Sequence, residues 1–369
     1  MPDLPEWEHS VRLRFKEASR INHNCDFNDQ HDSDEYLSDL LKILKIKSLV
    51  VGVGGAGSNT ISRLEGMGVE DAETLIVNTD AHDLYYSNAK RKLLIGKERC
   101  NGLGSGNDPV IGLEAAEEDV GRLKNILKYD IIFLICGLGG GTGTGAAPII
   151  AREAKKNNAL VVTFCSIPFK SEGAQRRTRA KIGLKKLAEY SDTLIPIPND
   201  NLLEMLPNMP FLTCFKIMDE VLVRCIREVV NLINNCGIIN VDFADVRKIF
   251  EKSGNYPSGL IGLTETLGSE KDLINKSKLA IHYPLLKPNT KEVNRCLVSV
   301  SSDHRLPLSK VDKIVSTITK EVPQDAKVKL GAIINPGLKK KIRIMCLGKG
   351  PISPYVRAAV NADNDVPFQ

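Results

Sequence analysis

The most constraining feature of this chain is a strand-like run, Tyr129-Asp-Ile-Ile-Phe-Leu-Ile-Cys136, that ends in Gly137-Leu-Gly-Gly-Gly-Thr-Gly-Thr-Gly-Ala-Ala147. A strand without polar alternation is one buried on both faces, as in a parallel sheet covered by helices. Five of the seven residues from Gly139 to Gly145 are glycine, and the other two, Thr142 and Thr144, carry hydroxyls. Each glycine costs conformational entropy on folding, so a purely structural turn seldom carries so many. Successive N–H groups there form an anion-binding concavity, to which the threonines add donors.

The same strand–glycine–helix order occurs upstream. Residues 46–53 are apolar and run into Gly52-Val-Gly-Gly-Ala-Gly-Ser-Asn59, followed by the helical spacing Ile61, Leu64, Met67. Gly52, Gly54 and Gly57 satisfy GxGxxG, which lets the backbone approach a phosphate at a helix N-terminus. On this cluster alone the natural reading is an NAD(P)-dependent oxidoreductase, with Asp80 as the acidic ribose partner. A third cluster, Gly102-Leu-Gly-Ser-Gly-Asn-Asp-Pro109, reads in isolation as a flexible turn. No GKS or GKT follows the loops, so the Walker lysine of a P-loop is absent.

Further strands are expected at 74–78, 160–165 and 193–197, separated by helices at 115–127, 146–156 and 175–188. This alternation gives the expected fold class: α/β, with a Rossmann-like parallel sheet. Residues 211–235 read as one long, largely apolar helix that stops at Asn234-Asn235-Cys236-Gly237. Strands at 259–264, 295–300, 328–334 and 342–347, with helices at 271–280 and 309–320, imply a smaller C-terminal α+β domain. The expected organisation is an acidic extension over 1–45, a nucleotide domain over 46–210, a central helix and following loop over 211–255, the α+β domain over 256–348 and a tail over 349–369.

Charge excludes some classes. The extension holds ten Asp/Glu against six Lys/Arg, and the whole chain carries +5. No dense Lys/Arg stripe with interleaved aromatics is present, so nucleic acid is not an expected partner. Nine scattered cysteines in a chain of this length suit a reducing cytoplasm better than a disulfide framework. No apolar run approaches the ~20 residues that span a bilayer, and the acidic start does not resemble a signal peptide.

Taken together, Gly139 to Gly145 within GLGGGTGTGAAP, Asn78-Thr-Asp-Ala81 and Asn240-Val-Asp-Phe-Ala-Asp-Val246 resemble the tubulin/FtsZ superfamily, and within it the prokaryotic cell-division GTPases of archaeal type. The likeness runs from about Ile46 to Gly348 with motif order kept. It implies GTP/GDP and Mg²⁺ as ligands and a set of nucleotide contacts. Gly55, Ala56, Gly57, Ser58 and Asn59 would form the first phosphate loop, with Asn78 and Asp80 beside it. Gly104, Ser105, Gly106 and Asn107 would lie near the γ-phosphate. Gly139, Gly140, Gly141, Thr142, Gly143, Thr144 and Gly145 would hold the central phosphates. Glu172 would contact the ribose and Arg176 the nucleotide, with Asn199 near the base. Without the resemblance, Glu172 and Arg176 read as a surface i,i+4 pair. Phe215 and Asp219 share a helix face; the ring would stack on guanine while the carboxylate accepts from its N1–H and N2 amino group.

The resemblance also assigns catalysis to Asn240, Asp242 and Asp245. They would act on the nucleotide of the next subunit, in a head-to-tail homopolymer that forms the division ring at mid-cell. Anchoring or regulatory proteins would then make any membrane contact indirect. Read from the residues alone, Asp242 is equally a helix N-cap and Asp245 a first-turn acid. Other readings are a tubulin-like GTPase of cell shape and a filament protein that binds nucleotide without hydrolysis.

Overall fold

The computed structural model describes residues 44–361 and 368, except 236, 253, 255, 304 and 305. The chain divides into two compact units, residues 1–47 and 48–369, and every element named here belongs to the second. The acidic extension, whose weak amphipathic patterns at 7–15 and 36–44 suit short helices, falls outside the described residues apart from positions 44 and 45.

The nucleotide domain begins β1 (Ser48–Val53), α1 (Gly54–Met67), β2 (Ala72–Asn78), α2 (Ala81–Tyr86), β3 (Arg91–Leu94) and α3 (Lys97–Cys100). It continues α4 (Pro109–Glu118), α5 (Val120–Ile126), β4 (Ile131–Gly137), α6 (Thr142–Lys156), β5 (Leu160–Ile167), α7 (Ala174–Tyr190), β6 (Thr193–Pro198) and α8 (Asn199–Met205). The six strands form one parallel sheet in the order β3-β2-β1-β4-β5-β6. The chain moves outward from β1 and returns to its other side at β4. That reversal opens a crevice beyond the carboxyl ends of β1 and β4, where ligands bind in sheets of this type.

All six residues of β1 are buried, and β4 is buried from Ile131 to Cys136, as their unbroken apolar sequences require. One face of the sheet meets α4, α6, α7 and a final helix, α13 (Pro354–Val360), in a core that includes Leu134, Ile150, Leu184 and Val356. α1 packs on the other face, where Ile61 lies against Gly52. α9 (Phe211–Asn234) in turn packs on α1. At about 1.5 Å per residue its 24 residues extend roughly 36 Å.

After α10 (Phe243–Phe250) come β7 (Gly259–Thr266), α11 (Glu270–Ile281), β8 (Arg295–Ser302), α12 (Leu308–Thr319), β9 (Lys327–Ile334) and β10 (Ile342–Lys349). They build a second sheet, β7-β10-β8-β9, with β10 antiparallel to β7 and β8, and β9 parallel to β8. Leu273 and Ile281 of α11 and Ile314 and Ile318 of α12 fill its core. Among the described residues no helix is long and apolar enough to cross a membrane, and the seven described cysteines are buried free thiols.

Three features depart from the sequence reading. β3 was not anticipated, because Arg-Lys-Leu-Leu is short and half charged, which suits an edge strand. The helix expected at 115–127 is two helices broken at Asp119. Its carboxylate accepts from the Gly96 N–H at 2.9 Å and from Arg122 at 2.7 Å, so it serves a neighbouring loop. The segment after β10, expected as a tail, contains α13. Pro354 suits the first turn of a helix, and Val356, Ala358 and Ala359 are buried in the main core.

Close backbone approach at α6 explains part of the glycine run. A Cβ on Gly143 would sit 2.3 Å from the Gly137 oxygen, and one on Gly145 2.1 Å from the Pro109 oxygen. Both obstacles are backbone, so neither can swing away. Gly145→Ala should therefore destabilise the protein by about 2 kcal/mol, within the range for overpacked sites. Gly66→Ala, where a Cβ in α1 meets nothing within 4 Å, should be neutral or gain up to ~1 kcal/mol. Denaturant midpoints of the two variants check the contrast; equal shifts would remove the packing explanation.

Candidate nucleotide-binding site

A cleft of about 990 Å³ opens at the carboxyl ends of the central strands. Gly54, Gly55, Ala56 and Asn59 line it from the start of α1, and Gly140, Gly141, Thr142 and Gly143 from the start of α6. Two helix N-termini therefore point N–H groups and positive dipole ends at one space, the arrangement that binds phosphate. Asn78, Thr79, Asp80 and Asp83 form one wall, and Gly104, Ser105, Gly106 and Asn107 close over it.

Polar bonds hold these loops together. The Thr142 hydroxyl lies 2.7 Å from that of Thr79 and 3.0 Å from that of Ser105, all three buried. Asn78 donates from Nδ2 to Asp83 Oδ2 at 2.5 Å, and its Oδ1 accepts from the Thr79 N–H at 2.9 Å. Asp80 caps α2 by accepting from the Asp83 N–H at 3.0 Å. Gly104 donates to the Thr79 carbonyl at 3.1 Å, tying the outer loop to the end of β2.

At the other end of the cleft, Phe215 meets Phe169 edge to face with ring centroids 5.9 Å apart. Asp219, one turn further along α9, is 8% exposed and accepts from the Thr60 hydroxyl at 2.6 Å, with Arg63 Nε at 4.0 Å. Burial holds the Asp219 carboxyl above its ordinary value, against the opposing pull of the Thr60 hydrogen bond and the Arg63 charge. Asn199, at the start of α8, is buried, and its Oδ1 has no hydrogen-bond partner. A buried acceptor left unpaired in a cleft wall fits a ligand that supplies the donor. Glu172 accepts from the Phe169 N–H at 2.8 Å and pairs with Arg176 at 2.8 Å; both line the cleft.

Most of the residues singled out in the sequence thus share one cavity, and several do not. Gly57 packs against Gly52, where a Cβ would sit 2.6 Å from its carbonyl carbon, and Ser58 is buried beneath the loop. Gly139 and Thr144 act on each other, the Gly139 N–H donating to the Thr144 hydroxyl at 2.8 Å. Gly145 serves the contact with α4. These five lie outside the lining of the cleft.

Asn240, Asp242 and Asp245 are elsewhere. They follow the far end of α9, which Asn234 closes about 22 Å along the helix from Asp219. Asn240 Oδ1 accepts from the Gly237 N–H at 2.7 Å. Asp242 occupies the N-cap position of α10, yet its exposed carboxylate makes no capping bond. Sequence reasoning missed Thr60, Thr79 and Phe169. Thr79 stands inside the quoted Asn78-Thr-Asp-Ala81 stretch, whereas Thr60 and Phe169 carry no local signal.

The sheet order is one that dinucleotide-binding domains share, so topology alone leaves the ligand open. Comparison with known proteins decides it. Residues 47–207 match the model of the tubulin/FtsZ family, GTPase domain, and residues 258–350 that of the FtsZ family, C-terminal domain. Cell division protein FtsZ of Methanothermobacter thermautotrophicus is 41% identical over 94% of this chain and 90% of its own length. The chain belongs to the tubulin/FtsZ family. Cell division protein FtsZ 1 of Pyrococcus abyssi is 43% identical over 89% of this chain and 87% of that protein. Among solved structures, an FtsZ dimer from M. jannaschii superposes with a TM-score of 0.77 at 40% identity, covering 86% of this chain and 92% of that one. CetZ2 from Haloferax volcanii, at 22% identity and a TM-score of 0.71, shares the fold over 85% of this chain and 96% of its own. The nucleotide domain is thus a tubulin/FtsZ GTPase domain, a family that binds guanine nucleotide. The oxidoreductase reading of Gly52 to Gly57 falls with this assignment.

Asp219 has a consequence for stability. A carboxyl whose pKa is raised by folding binds a proton more readily in the native state than in the unfolded chain. Its ionised form therefore costs stability above that pKa, and the cost vanishes as pH falls through it. Asp219→Asn should stabilise the nucleotide-free protein at pH 7, and its advantage over the parent should shrink as pH is lowered through the raised pKa. Chemical unfolding of both proteins across acid and neutral pH measures this. An advantage that stays constant down to acid pH would rule out burial of the charge as its source.

Proposed function

We propose that this GTPase assembles head to tail into filaments of the cell-division apparatus, and that each hydrolytic site is completed by the Asn240–Asp245 loop of the adjacent subunit. The observation that carries the proposal is the separation of the two half-sites. The cleft surrounds Phe215 and Asp219 at one end of α9, while Asn240, Asp242 and Asp245 follow its other end. One subunit cannot bring both to the same nucleotide. A neighbour stacked along α9 can.

Local details support this reading. The Asp242 carboxylate makes no capping bond, so it is left for another partner. Exposed apolar side chains gather at both ends: Leu103 and Leu212 at the cleft mouth, and Ile238, Ile239, Leu267, Leu308 and Ile334 around the loop and the adjoining ends of β7, α12 and β9. Contact between unlike surfaces does not close on itself and extends as a filament. The FtsZ dimer from M. jannaschii gives self-association a precedent in a relative 40% identical. Its relatives are cell-division proteins, and that is the role we assign here rather than control of cell shape.

Within the shared site, the N–H groups at the starts of α1 and α6 would receive the phosphates, with Gly104 to Asn107 over the terminal one. Phe215 would stack on the base, and ionised Asp219 would accept from guanine N1–H and N2, a donor pair that adenine lacks. Asn199 Oδ1 would accept a further hydrogen bond near the base, and Glu172 and Arg176 would reach the ribose side. Asp242 and Asp245 of the neighbour would orient and polarise the water that attacks the γ-phosphorus, with Asn240 supporting the loop. The lining residues include four carboxylates, Asp80, Asp83, Glu172 and Asp219, against one guanidinium, Arg176. A triphosphate entering that field needs added positive charge. Mg²⁺ bound with the nucleotide would supply that charge, and Asp80 and Asp83 are the carboxylates beside the first phosphate loop. We place the filament in the cell interior at the division site, joined to the membrane only through anchoring or regulatory proteins.

Asp245→Ala should leave GTP affinity within about twofold and lower turnover by ~100-fold or more. Asp219→Ala should weaken GTP binding by roughly 10- to 100-fold, the value of hydrogen bonds to a charged acceptor. At GTP concentrations too low to fill the Asp219→Ala cleft, mixing the two variants should restore part of the activity, because an intact cleft then meets an intact loop. Light scattering with GTP should rise with assembly. A mixture that stays inactive while scattering rises would sink the shared site; scattering that never rises would sink the polymer.

A further inference from the structure

We propose that Lys329 is a positioning residue for Asp245, orienting and partly neutralising the carboxylate that one subunit presents to its neighbour's nucleotide; the inference rests on the shared-site reading above. β9 is the edge strand of the second sheet, with Val328 and Leu330 packed toward the core and Lys327 and Lys329 exposed. From that outward position Lys329 Nζ donates to Asp245 Oδ2. A lysine on a free edge also discourages strand pairing, a role Lys327 serves equally. The bond to Asp245 sets Lys329 apart.

The loop that bears the catalytic candidates is laid against this same strand. Ile239 and Ala332 exchange backbone hydrogen bonds of 3.3 and 3.1 Å, an isolated antiparallel bridge. Two glycines permit the approach. A Cβ on Gly237 would sit 2.3 Å from the Ala332 oxygen, and one on Gly331 2.7 Å from Val241 Cγ2. The loop is thus fixed to β9 through its backbone at Ala332, and Asp245 is fixed to it again through its side chain at Lys329. The C-terminal sheet sets where the carboxylate points.

Charge gives the second reason. Asp242 and Asp245 together carry −2 toward a triphosphate that is itself strongly negative, and Lys329 reduces the local charge to −1. In the isolated subunit the pair is open to water, with side chains 44% and 20% exposed for Lys329 and Asp245, and contributes little. Covered by a neighbour, it is screened less and acts more strongly. Lys329 therefore acts at the assembled interface.

The test crosses Lys329→Met and Lys329→Arg with Asp245→Asn in the full-length chain. It measures GTP affinity, critical concentration for assembly, and turnover per assembled subunit. Lys329→Met should lower that turnover about tenfold, as expected for a misplaced catalytic group, and leave GTP affinity and the unfolding midpoint unchanged. Lys329→Arg should recover most of the loss. In the Asp245→Asn background, Lys329→Met should add nothing, because the two act as one unit. Normal turnover by Lys329→Met beside an impaired Asp245→Asn would overturn this proposal and leave the shared site standing. The same fold loss in both backgrounds would overturn it too, since Lys329 would then act without Asp245. Normal turnover by Asp245→Asn would remove the shared site itself, and this proposal with it.

Discussion

The cleft depends on the hydroxyl of Thr142. It stands at the first residue of α6, 8% exposed, and meets the hydroxyls of Thr79 and Ser105. Those partners belong to the end of β2 and to the loop over residues 101–108, so one buried oxygen braces three segments. The outer loop needs such a tie, because Asn101, Gly102, Gly104, Gly106 and Asn107 all have positive φ and build no ladder of their own. Removing the hydroxyl would strand two buried oxygens away from water, a larger loss than that of an average exposed hydrogen bond. The phosphate loops are preorganised by this contact before any nucleotide arrives.

Under the proposed function, preorganisation of this kind would bind an anion in a cleft whose side chains do not attract one. The wall carries more carboxylates than cations, and its guanidinium is already paired with Glu172. Attraction must come from backbone N–H groups at the starts of α1 and α6 and from helix dipoles. The glycines allow this in two ways. Gly143 and Gly145 let α6 pack against β4 and α4, whereas a Cβ on Gly140 would meet only Asn107 Oδ1, at 3.9 Å, and Gly140 faces the cleft. Part of the glycine run therefore serves helix packing, and Gly143 both packs and lines the cleft.

What could be read in the sequence followed from pattern strength. β1 and β4 were legible because unbroken apolar runs bounded by glycines admit few alternatives, and α9 because its apolar residues recur over many turns. β3 was not, being four residues with two charges at a sheet edge. Asp119 looked like an ordinary helical residue, since its bond to Gly96 joins positions 23 apart in sequence. At the site, the loop residues could be found because glycine spacing is local. Thr60 could not: its meaning comes from Asp219, 159 residues away, and only the packing of α1 on α9 brings them together. The pairing of Lys329 with Asp245 was hidden for the same reason, 84 residues apart and joined through an edge strand.

The length of α9 connects these observations. Its 24 residues form one unbroken helix, which sets the separation between the cleft end and the loop end. The cleft end is fastened to the nucleotide domain through Thr60 and Arg63 on α1. Further along, Glu228 of α9 is buried and accepts from Arg343 of β10 at 2.9 Å and from the Ser301 hydroxyl of β8. Arg343 also pairs with Glu265 of β7 at 2.8 Å, so the helix is bound to three strands of the second sheet by groups that cannot be left unpaired without a large desolvation cost. The loop after α9 then rests on β9 of that sheet. A shift of the second sheet would therefore carry both α9 and the loop with it, and the place where such motion must be absorbed is the α1–α9 contact beside Asp219. Asp219 lies where the nucleotide domain meets the helix that leads to Asp245. The cleft and the loop are thus joined through one helix.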